Sequence, residues 1–202
     1  MQHGKCAYCE KRDEQAKWRD AEHYRPKGHY WWLAWTWENL LFACVDCNRD
    51  CKRDQFPLVD PSARLAPEAM PPGDERPLLI DPYAPEGDPR AEIVFRRERV
   101  QGRERWKPYG TTPGGSETIR VCGLDRSGLI DLYNKHVRDF VRPALAQFET
   151  VANSEDARAI IEAWSRLCRR LDAPGQEFRA LSRHAVDALA PRDLRARYRL
   201  TW

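Results

Sequence analysis

Two Cys-x-x-Cys pairs constrain the fold of this chain more than any other feature of its sequence. Cys6 and Cys9 form the first pair, and Cys44 and Cys47 form the second. Two thiolates on one tight turn can bind a zinc ion at about 2.3 Å, and a second such turn completes a tetrahedron. Free thiols or one redox-active pair are the alternatives, but the thioredoxin-like βαβ pattern of a redox pair is missing. The spacing therefore predicts a structural Zn²⁺ held by these four cysteines.

The composition indicates a protein of the reducing cytoplasm. Charged residues make up 32% of the 202 residues and hydrophobic residues 42%, which suits a globular chain with a modest core. The first ten residues have no apolar leader pattern, and no apolar run approaches the roughly 20 residues of a membrane span. Seven cysteines without an export signal argue against a disulfide framework. Residues 96–107 are rich in arginine, which suits either phosphate contacts or a solvated strand.

The pattern along the chain predicts an α+β fold in three parts. Residues 1–60 are dense in cysteine, tryptophan and histidine. Residues 61–127 are predicted to be an irregular or β connecting region, which is rich in proline at 61–92 and has strand candidates at 77–80 and 91–97 and a loop at 109–116. Residues 128–202 carry apolar side chains at helical spacing, so we expect a helical region there.

Helix ends in the last part are predicted from proline and from capping residues. Pro143 should bend or end the helix that starts near Gly128, because proline lacks the backbone N–H that a helix interior needs. Ser154 is a candidate N-cap for the next helix, and a third helix should start near Pro174.

Polar residues around the cysteine pairs resemble the HNH endonucleases, whose fold is the ββα-metal finger. The matching stretches are "DAEHYRP", "WENLLFAC" and "CVDCNRDCK", which place Glu22, His23, Asn39 and Asn48 in the family's order. The family usually has Asp where Glu22 stands, and many members have His where Asn48 stands. The resemblance implies a zinc-knuckle-braced ββα-metal finger of an H-N-N type, followed by a mainly helical C-terminal part.

Chemistry assigns each of these residues a role in phosphodiester hydrolysis. A histidine can accept a proton from water near neutral pH, which makes His23 the candidate base. Asn39 offers a carbonyl oxygen to fix the other ring nitrogen of His23. Glu22 and Asn48 offer oxygen ligands for a catalytic Mg²⁺ or Mn²⁺. Neighbouring residues of a regular strand point to opposite faces, so Glu22 and His23 share one site only at a strand end or an irregularity.

Basic and aromatic side chains around these motifs are candidates for contacts with nucleic acid. Arg25, Lys27, Lys52 and Arg53 are predicted to hold the nucleic-acid backbone, although each alone is also an ordinary surface charge. Four tryptophans are expected first to pack over the zinc knuckles, with base stacking as the alternative. They are Trp31, Trp32, Trp35 and Trp37.

A narrower resemblance is to the HNH subfamily associated with retrons and the Septu anti-phage systems. It covers about residues 5–145 and rests on "CAYCE", "EHYRPKG", "YWWLAWTWENLL", "CNRDCK", "FPLVD", "PLLIDP" and "TIRVCGLDRSGLIDLY". It implies a bacterial defence effector that works with an ATPase subunit and cuts nucleic acid. DNA is the first candidate substrate. Residues 128–190 would then be the surface that docks the partner. A zinc module that binds nucleic acid without cutting it and a regulatory scaffold are the alternatives.

Overall fold

The computed structural model describes residues 2–12, 19–83, 89–154 and 156–202, without the side chains of residues 89 and 90. The chain divides into two compact units. One comprises Met1–Val94 and Pro108–Arg126, and the other comprises Phe95–Lys107 and Ser127–Trp202. Most of the expected connecting region 61–127 falls within the first of these units, and residues 95–107 fall within the second.

The first unit is built around a two-stranded antiparallel sheet. Strand β1 (Arg19–His23) pairs with β2 (Leu40–Cys44), so that His23 lies opposite Leu40 at one end of the sheet. The connection between the strands contains 3₁₀ turns at Trp31–Leu33 and Trp37–Asn39. This register places the candidate base His23 at the end of a strand, beside the loop that follows it.

A π-helix at Asp46–Lys52 follows β2 directly. Its wide turn is closed by the N–H of Arg53, which donates to the carbonyl oxygen of Asn48 over 2.7 Å. Arg53 has a φ of 51°, so the helix ends there. π-turns are rare and often occur at functional sites, and this one carries both Cys47 and Asn48.

Helix α1 (Pro89–Glu92) precedes the hairpin of β3 (Ile93–Val100) and β4 (Arg103–Gly110). Gln101 and Gly102 form its turn with φ values of 50° and 77°, as a two-residue hairpin turn requires. The predicted strand at 91–97 is thus present. Residues 77–80 are not a strand, since the structure gives them only an isolated bridge between Leu58 and Pro77.

Helix α2 (Pro113–Cys122) starts inside the segment 109–116 that the sequence indicated as a loop. Thr112 caps it, because its hydroxyl accepts from the N–H of Gly115 over 3.0 Å. A Cβ on Gly115 would lie 2.0 Å from the carbonyl oxygen of Glu92. Glycine is therefore needed here for close packing, although it usually disfavours a helix.

The second unit is mainly helical, as predicted. Its helices are α3 (Ser127–His136), α4 (Arg142–Ala152), α5 (Ala157–Leu171), α6 (Arg179–Leu189) and α7 (Arg192–Arg197). Within the described parts of the chain, no helix has the length and apolar character needed to cross a membrane.

The helix ends differ in detail from the predicted ones. Pro143 neither ends nor breaks the helix, because a π-turn at Val137–Val141 precedes it and the helix then continues as α4. The N-cap of α5 is Asp156 rather than Ser154, since the Asp156 carboxylate accepts from two backbone N–H groups of the first turn. Helix α6 starts at Arg179, later than the position predicted near Pro174.

Aromatic side chains form much of the core of the second unit. The ring of Tyr133 meets the edges or faces of Phe95 and Phe178, with centroids 5.0 and 5.2 Å apart. Trp164 is buried, and its indole N–H donates to the carbonyl oxygen of Thr201 over 2.7 Å. The basic C-terminal segment is therefore packed onto this unit.

Candidate active site and metal centre

The structure brings the four cysteines of the two pairs together. Their sulfur atoms all lie within 4.8 Å of one another, and all four side chains are buried. The sulfurs of Cys9 and Cys44 are 3.8 Å apart. A tetrahedral ion with bonds of about 2.3 Å separates its sulfur ligands by roughly 3.8 Å. The donor set and the spacing thus fit a metal ion such as Zn²⁺, and with all four positions filled that ion would stabilise the fold.

Arg126 supplies positive charge beside this cluster. Its guanidinium donates to the sulfur of Cys47 over 3.5 Å and to the carbonyl oxygen of Gly123 over 2.9 Å. Burial lowers the pKa of Arg126, but the thiolates of Cys47 and Cys9 outweigh burial and raise it. A tetrathiolate zinc centre carries a net negative charge, so this arginine stabilises the metal-bound form. No pattern in the sequence pointed to Arg126.

His23 is anchored by a backbone carbonyl. Its Nε2 atom lies 3.0 Å from the carbonyl oxygen of Ala34, and the side chain is half-buried. A carbonyl oxygen only accepts hydrogen bonds, so Nε2 carries the proton and the lone pair of the neutral ring is on Nδ1. Among the described residues, Nδ1 has no hydrogen-bond partner. The geometry leaves Nδ1 as the atom that can accept a proton.

Asn39, predicted to fix the ring of His23, hydrogen-bonds to Arg25 and Leu33 and does not contact the imidazole. Its Oδ1 accepts from the N–H of Arg25 over 2.7 Å, and its Nδ2 donates to the carbonyl oxygens of Arg25 and Leu33 over 3.0 and 3.1 Å. Asn39 therefore ties together the two ends of the loop, and Ala34 follows Leu33 directly. Asn39 holds the loop whose carbonyl fixes the imidazole.

Glu22, a predicted metal ligand, is buried and paired with a cation. Its Oε1 lies 2.5 Å from the ammonium nitrogen of Lys52 and accepts from the hydroxyl of Tyr8 over 3.3 Å. Burial raises the pKa of Glu22, although Lys52 and Tyr8 both act to lower it. As the strand alternation requires, Glu22 faces the interior of the unit while His23 points to the other side.

Asn48, the second predicted ligand, is paired with Asp20. Its Nδ2 donates to Oδ2 of Asp20 over 3.0 Å, and Arg49 donates to both oxygens of the same carboxylate. Sequence reasoning missed Asp20, although it shares a strand face with Glu22 two residues later. That alternation was the signal that could have grouped the two carboxylates.

The oxygen ligands predicted for Mg²⁺ or Mn²⁺ do not form an open site in this arrangement. The Glu22 carboxylate faces an ammonium group, and the Asp20 carboxylate faces a guanidinium group. A hard divalent cation needs oxygen ligands that are free to turn towards it. Because both carboxylates already face cations, we assign no catalytic step to the ion, and Glu22 and Asn48 as its ligands stay a prediction.

Two of the four basic residues predicted to hold nucleic acid are buried and paired with carboxylates. Lys52 is 0% exposed, and its ammonium also donates to the carbonyl oxygen of His23 over 3.0 Å. Arg25 is buried and pairs with Glu75 over 2.7 Å. Lys27 and Arg53 are exposed, so contact with a phosphate backbone stays a prediction for them.

Three of the four tryptophans do not pack over the cysteine cluster, contrary to the expectation. Trp31 is 61% exposed, Trp35 is 93% exposed and Trp37 is 74% exposed. Trp32 is the half-buried one, and its indole N–H donates to the carbonyl oxygen of Ala69 over 2.7 Å. The interior of this unit is filled instead by smaller aromatic rings such as Tyr24.

Comparison with known proteins relates the chain to Septu proteins. No protein-family model matches it, and no solved structure gives a significant match. It is 31% identical to Septu protein PtuB of Bacillus mycoides (strain KBAB4) over 153 residues, which are 69% of this chain and 49% of that protein. It is 40% identical to Septu protein PtuB of Bacillus thuringiensis over 68 residues, 31% of this chain and 26% of that protein.

A third relative carries a different Septu name. The chain is 27% identical to Septu protein PtuA of Bacillus mycoides (strain KBAB4) over 142 residues, which are 64% of this chain and 18% of that protein. The chain thus spans about half, or less, of the length of each curated relative it matches. It is similar to Septu proteins, and the similarity to PtuB of Bacillus mycoides covers the largest share of this chain among these three.

Proposed function

We propose that this chain is an HNH-type endonuclease that hydrolyses phosphodiester bonds, with His23 as the general base. The observation that carries the proposal is the hydrogen bond from Nε2 of His23 to the carbonyl oxygen of Ala34, 3.0 Å long. It fixes the ring and its tautomer, so Nδ1 stays ready to accept a proton. Enzymes that use histidine as a base need this fixed orientation of the second ring nitrogen.

The proposed reaction is an attack by water on phosphorus. A water molecule transfers a proton to Nδ1 of His23 as its oxygen bonds to phosphorus. The bond from phosphorus to the 3′ oxygen breaks, and that oxygen leaves with the bonding electrons and takes a proton from solvent. The products carry a 5′ phosphate and a 3′ hydroxyl. Lys52 supports His23 by donating to its carbonyl oxygen, and Asn39 supports it by holding the carbonyl oxygen of Leu33, next to Ala34.

The Septu names of the relatives support a role in bacterial anti-phage defence. In the proposal this chain is the nuclease, DNA is its first candidate substrate, and an ATPase subunit is its partner. The similarity to both PtuB and PtuA supports a place in such a two-component system. The predominantly helical second unit is the candidate surface for that subunit.

The test is a cleavage assay on plasmid and on RNA, with the chain alone and with the ATPase subunit. Mg²⁺ and Mn²⁺ are supplied in separate arms, because the HNH resemblance implies one of these ions. We expect wild-type protein to cut and His23→Ala to lose at least a hundredfold in rate, the lower range for a general base. Equal cleavage rates of the two proteins under every condition would show that His23 is not the general base.

A zinc module that binds nucleic acid without cutting it is the second candidate. The observation that favours it is the pairing of Glu22 with Lys52, which leaves no open pair of oxygen ligands at Glu22 and Asn48. This candidate predicts salt-dependent binding that is the same for wild type and His23→Ala, with no cleavage in any arm. The assay therefore separates the two candidates.

A further inference from the structure

The loop that holds His23 also presents three tryptophans to solvent. Trp31, Trp35 and Trp37 lie within seven residues of one another, and we call them the indole platform. Their exposed fractions of 61%, 93% and 74% are unusual for the largest apolar side chain. Exposed apolar surface of this kind marks a binding site more often than chance. The platform flanks Ala34, the residue whose carbonyl anchors the imidazole.

The backbone beneath the platform is fixed by hydrogen bonds. The N–H of Ala34 donates to the carbonyl oxygen of Trp31 over 3.2 Å, and the N–H of Thr36 donates to that of Leu33 over 3.2 Å. Asn39 holds the carbonyl oxygen of Leu33 from the other side. The indoles therefore stand on a loop that is already ordered, which lowers the entropy cost of binding a ligand.

Trp32 braces the first of the exposed rings. The rings of Trp31 and Trp32 meet edge to face, with centroids 6.0 Å apart and an angle of 82° between their planes. Trp32 is itself held by its hydrogen bond to Ala69 and by its contact with Tyr30. Trp31 is thereby held on one side by an ordered ring, and most of its surface remains open to a ligand.

We propose that the indole platform stacks unpaired bases of the nucleic-acid substrate. An indole face stacks on any base, and each such stack contributes affinity without sequence preference. In a duplex the base faces are covered by their neighbours, so a protruding indole reaches them only where the strand is unpaired or unstacked. The inference rests on the proposed nuclease function and assigns it a substrate class, which is single strands, loops or frayed ends.

Charge and position favour nucleotides over a protein as the occupant. Lys27 is exposed near the start of the loop between β1 and β2, and Arg53 is exposed at the end of the π-helix. Both charges suit the phosphates of a nucleic acid better than an apolar surface of a partner protein. Buried Leu33 lies between Trp31 and Trp35, and half-buried Thr36 lies between Trp35 and Trp37, so exposed and covered residues alternate along this part of the loop. Trp35 directly follows Ala34, whose carbonyl oxygen anchors His23.

The test measures binding with the full chain carrying His23→Ala, so that cleavage does not interfere. The ligands are a labelled single-stranded oligothymidylate, an oligouridylate, a duplex, and an abasic strand with the same number of phosphates. We expect the strands with bases to bind more tightly than the duplex and the abasic strand. Trp35→Ala should weaken binding of the strands with bases about fivefold or more, since it removes one stacking partner.

Matched variants separate stacking from folding and from charge. Trp35→Phe should keep most of the affinity because it keeps a ring, and Met70→Ala, at another apolar residue that is 63% exposed, should change nothing. Trp35→Ala should leave the affinity for the abasic strand unchanged. Thermal unfolding of each variant should match that of the parent, because Trp35 is almost fully exposed.

Three results would overturn the inference. One is unchanged affinity of Trp35→Ala, Trp31→Ala and Trp37→Ala for strands with bases. Another is an equal loss of affinity for the abasic strand. The third is loss of binding to the ATPase subunit while oligonucleotide affinity stays the same, which would make the platform a protein interface. No cleavage is read here, so failure of the nuclease proposal would appear only in the separate cleavage assay.

Discussion

The ammonium nitrogen of Lys52 lies 2.5 Å from Oε1 of Glu22, inside the unit that carries the candidate base. The same nitrogen donates to the carbonyl oxygen of His23 over 3.0 Å. One buried cation therefore neutralises a carboxylate and holds the backbone at the end of β1. The sequence suggested Glu22 for metal binding and Lys52 for phosphate contact. In the structure Glu22 pairs with Lys52, and Lys52 positions the backbone of His23.

Removing the charge of Lys52 should destabilise the protein strongly. Lys52→Met keeps the length of the side chain but leaves the buried Glu22 carboxylate without a cation, which costs about 3 kcal/mol or more. Urea unfolding measures this loss. The double variant with Glu22→Gln should lose less than the two single variants together, because the pair is coupled.

Arg49→Met is the matched control for that experiment. It breaks the ion pair with Asp20, in which the Arg49 side chain is 65% exposed. We expect a loss below about 1 kcal/mol, as for other pairs at the surface. Equal losses for Lys52→Met and Arg49→Met would contradict the account of Lys52 as a buried positioning cation.

The cysteine cluster should bind one zinc ion, and Arg126 should strengthen that binding. Elemental analysis of the purified protein is expected to give one zinc per chain, and chelation should unfold the first unit, as observed by circular dichroism. Arg126→Gln removes the cation that donates to Cys47. We expect it to lower zinc affinity about tenfold or more.

A control for the zinc experiment is Cys51→Ser, because Cys51 lies outside the four-sulfur group. It should keep the full zinc content, whereas Cys44→Ser should lose zinc. Retention of zinc by Cys44→Ser would show that the metal is held elsewhere.

Asn39 should be needed for activity although it does not contact His23. Asn39→Ala removes three hydrogen bonds to the backbone of the loop, and we expect a loss of about 3 kcal/mol in stability together with slower cleavage. Gln55→Ala removes one exposed amide contact to Cys51 and serves as the control with little effect. Full activity in a folded Asn39→Ala protein would show that the loop orders itself without this side chain.

The second unit should lose stability in mild acid because of His136. Its ring is buried and shares a hydrogen bond of 2.8 Å with the hydroxyl of Ser182. Burial lowers the pKa of His136 to about 4 from the ordinary value of 6.5. The unfolded chain then takes up the proton first, so stability falls as the pH drops from 6.5 towards 4, by about 3 kcal/mol in all.

The pH effect is measured by urea unfolding of wild type and of His136→Gln between pH 7 and pH 4. The variant lacks the titrating ring, so its stability should decline less over this window. An identical decline in both proteins would assign the acid sensitivity to other groups.

The sequence predicted the convergence of Cys6, Cys9, Cys44 and Cys47 because paired thiols at tight-turn spacing have few other uses. It also predicted a mixed α and β chain with a helical second half, since apolar spacing is a local signal. Helix α2 was missed because glycine disfavours helices in isolation. Residue 115 has to be glycine because the backbone of Glu92 approaches it closely, and this contact is not visible in the sequence.

The contacts of individual side chains could not be predicted from the sequence. The anchor of His23 is a backbone carbonyl, which every residue carries, so no residue type could indicate Ala34. The strand alternation did indicate that Glu22 and His23 point apart, but the motif order suggested a shared site. The burial of Lys52 and the exposure of Trp35 both depend on how the π-helix and the loop pack, which local patterns do not determine.

Chemical rescue of His23→Ala, measured on the substrate that wild type cuts best, tests whether this imidazole is the base. If an imidazole at this position takes the proton of water, free imidazole added to the variant should restore part of the lost rate in a saturable manner. His23→Gln, whose side chain fills the space, should gain nothing. Wild-type cleavage by His23→Ala without imidazole would contradict the claim that this ring is the base.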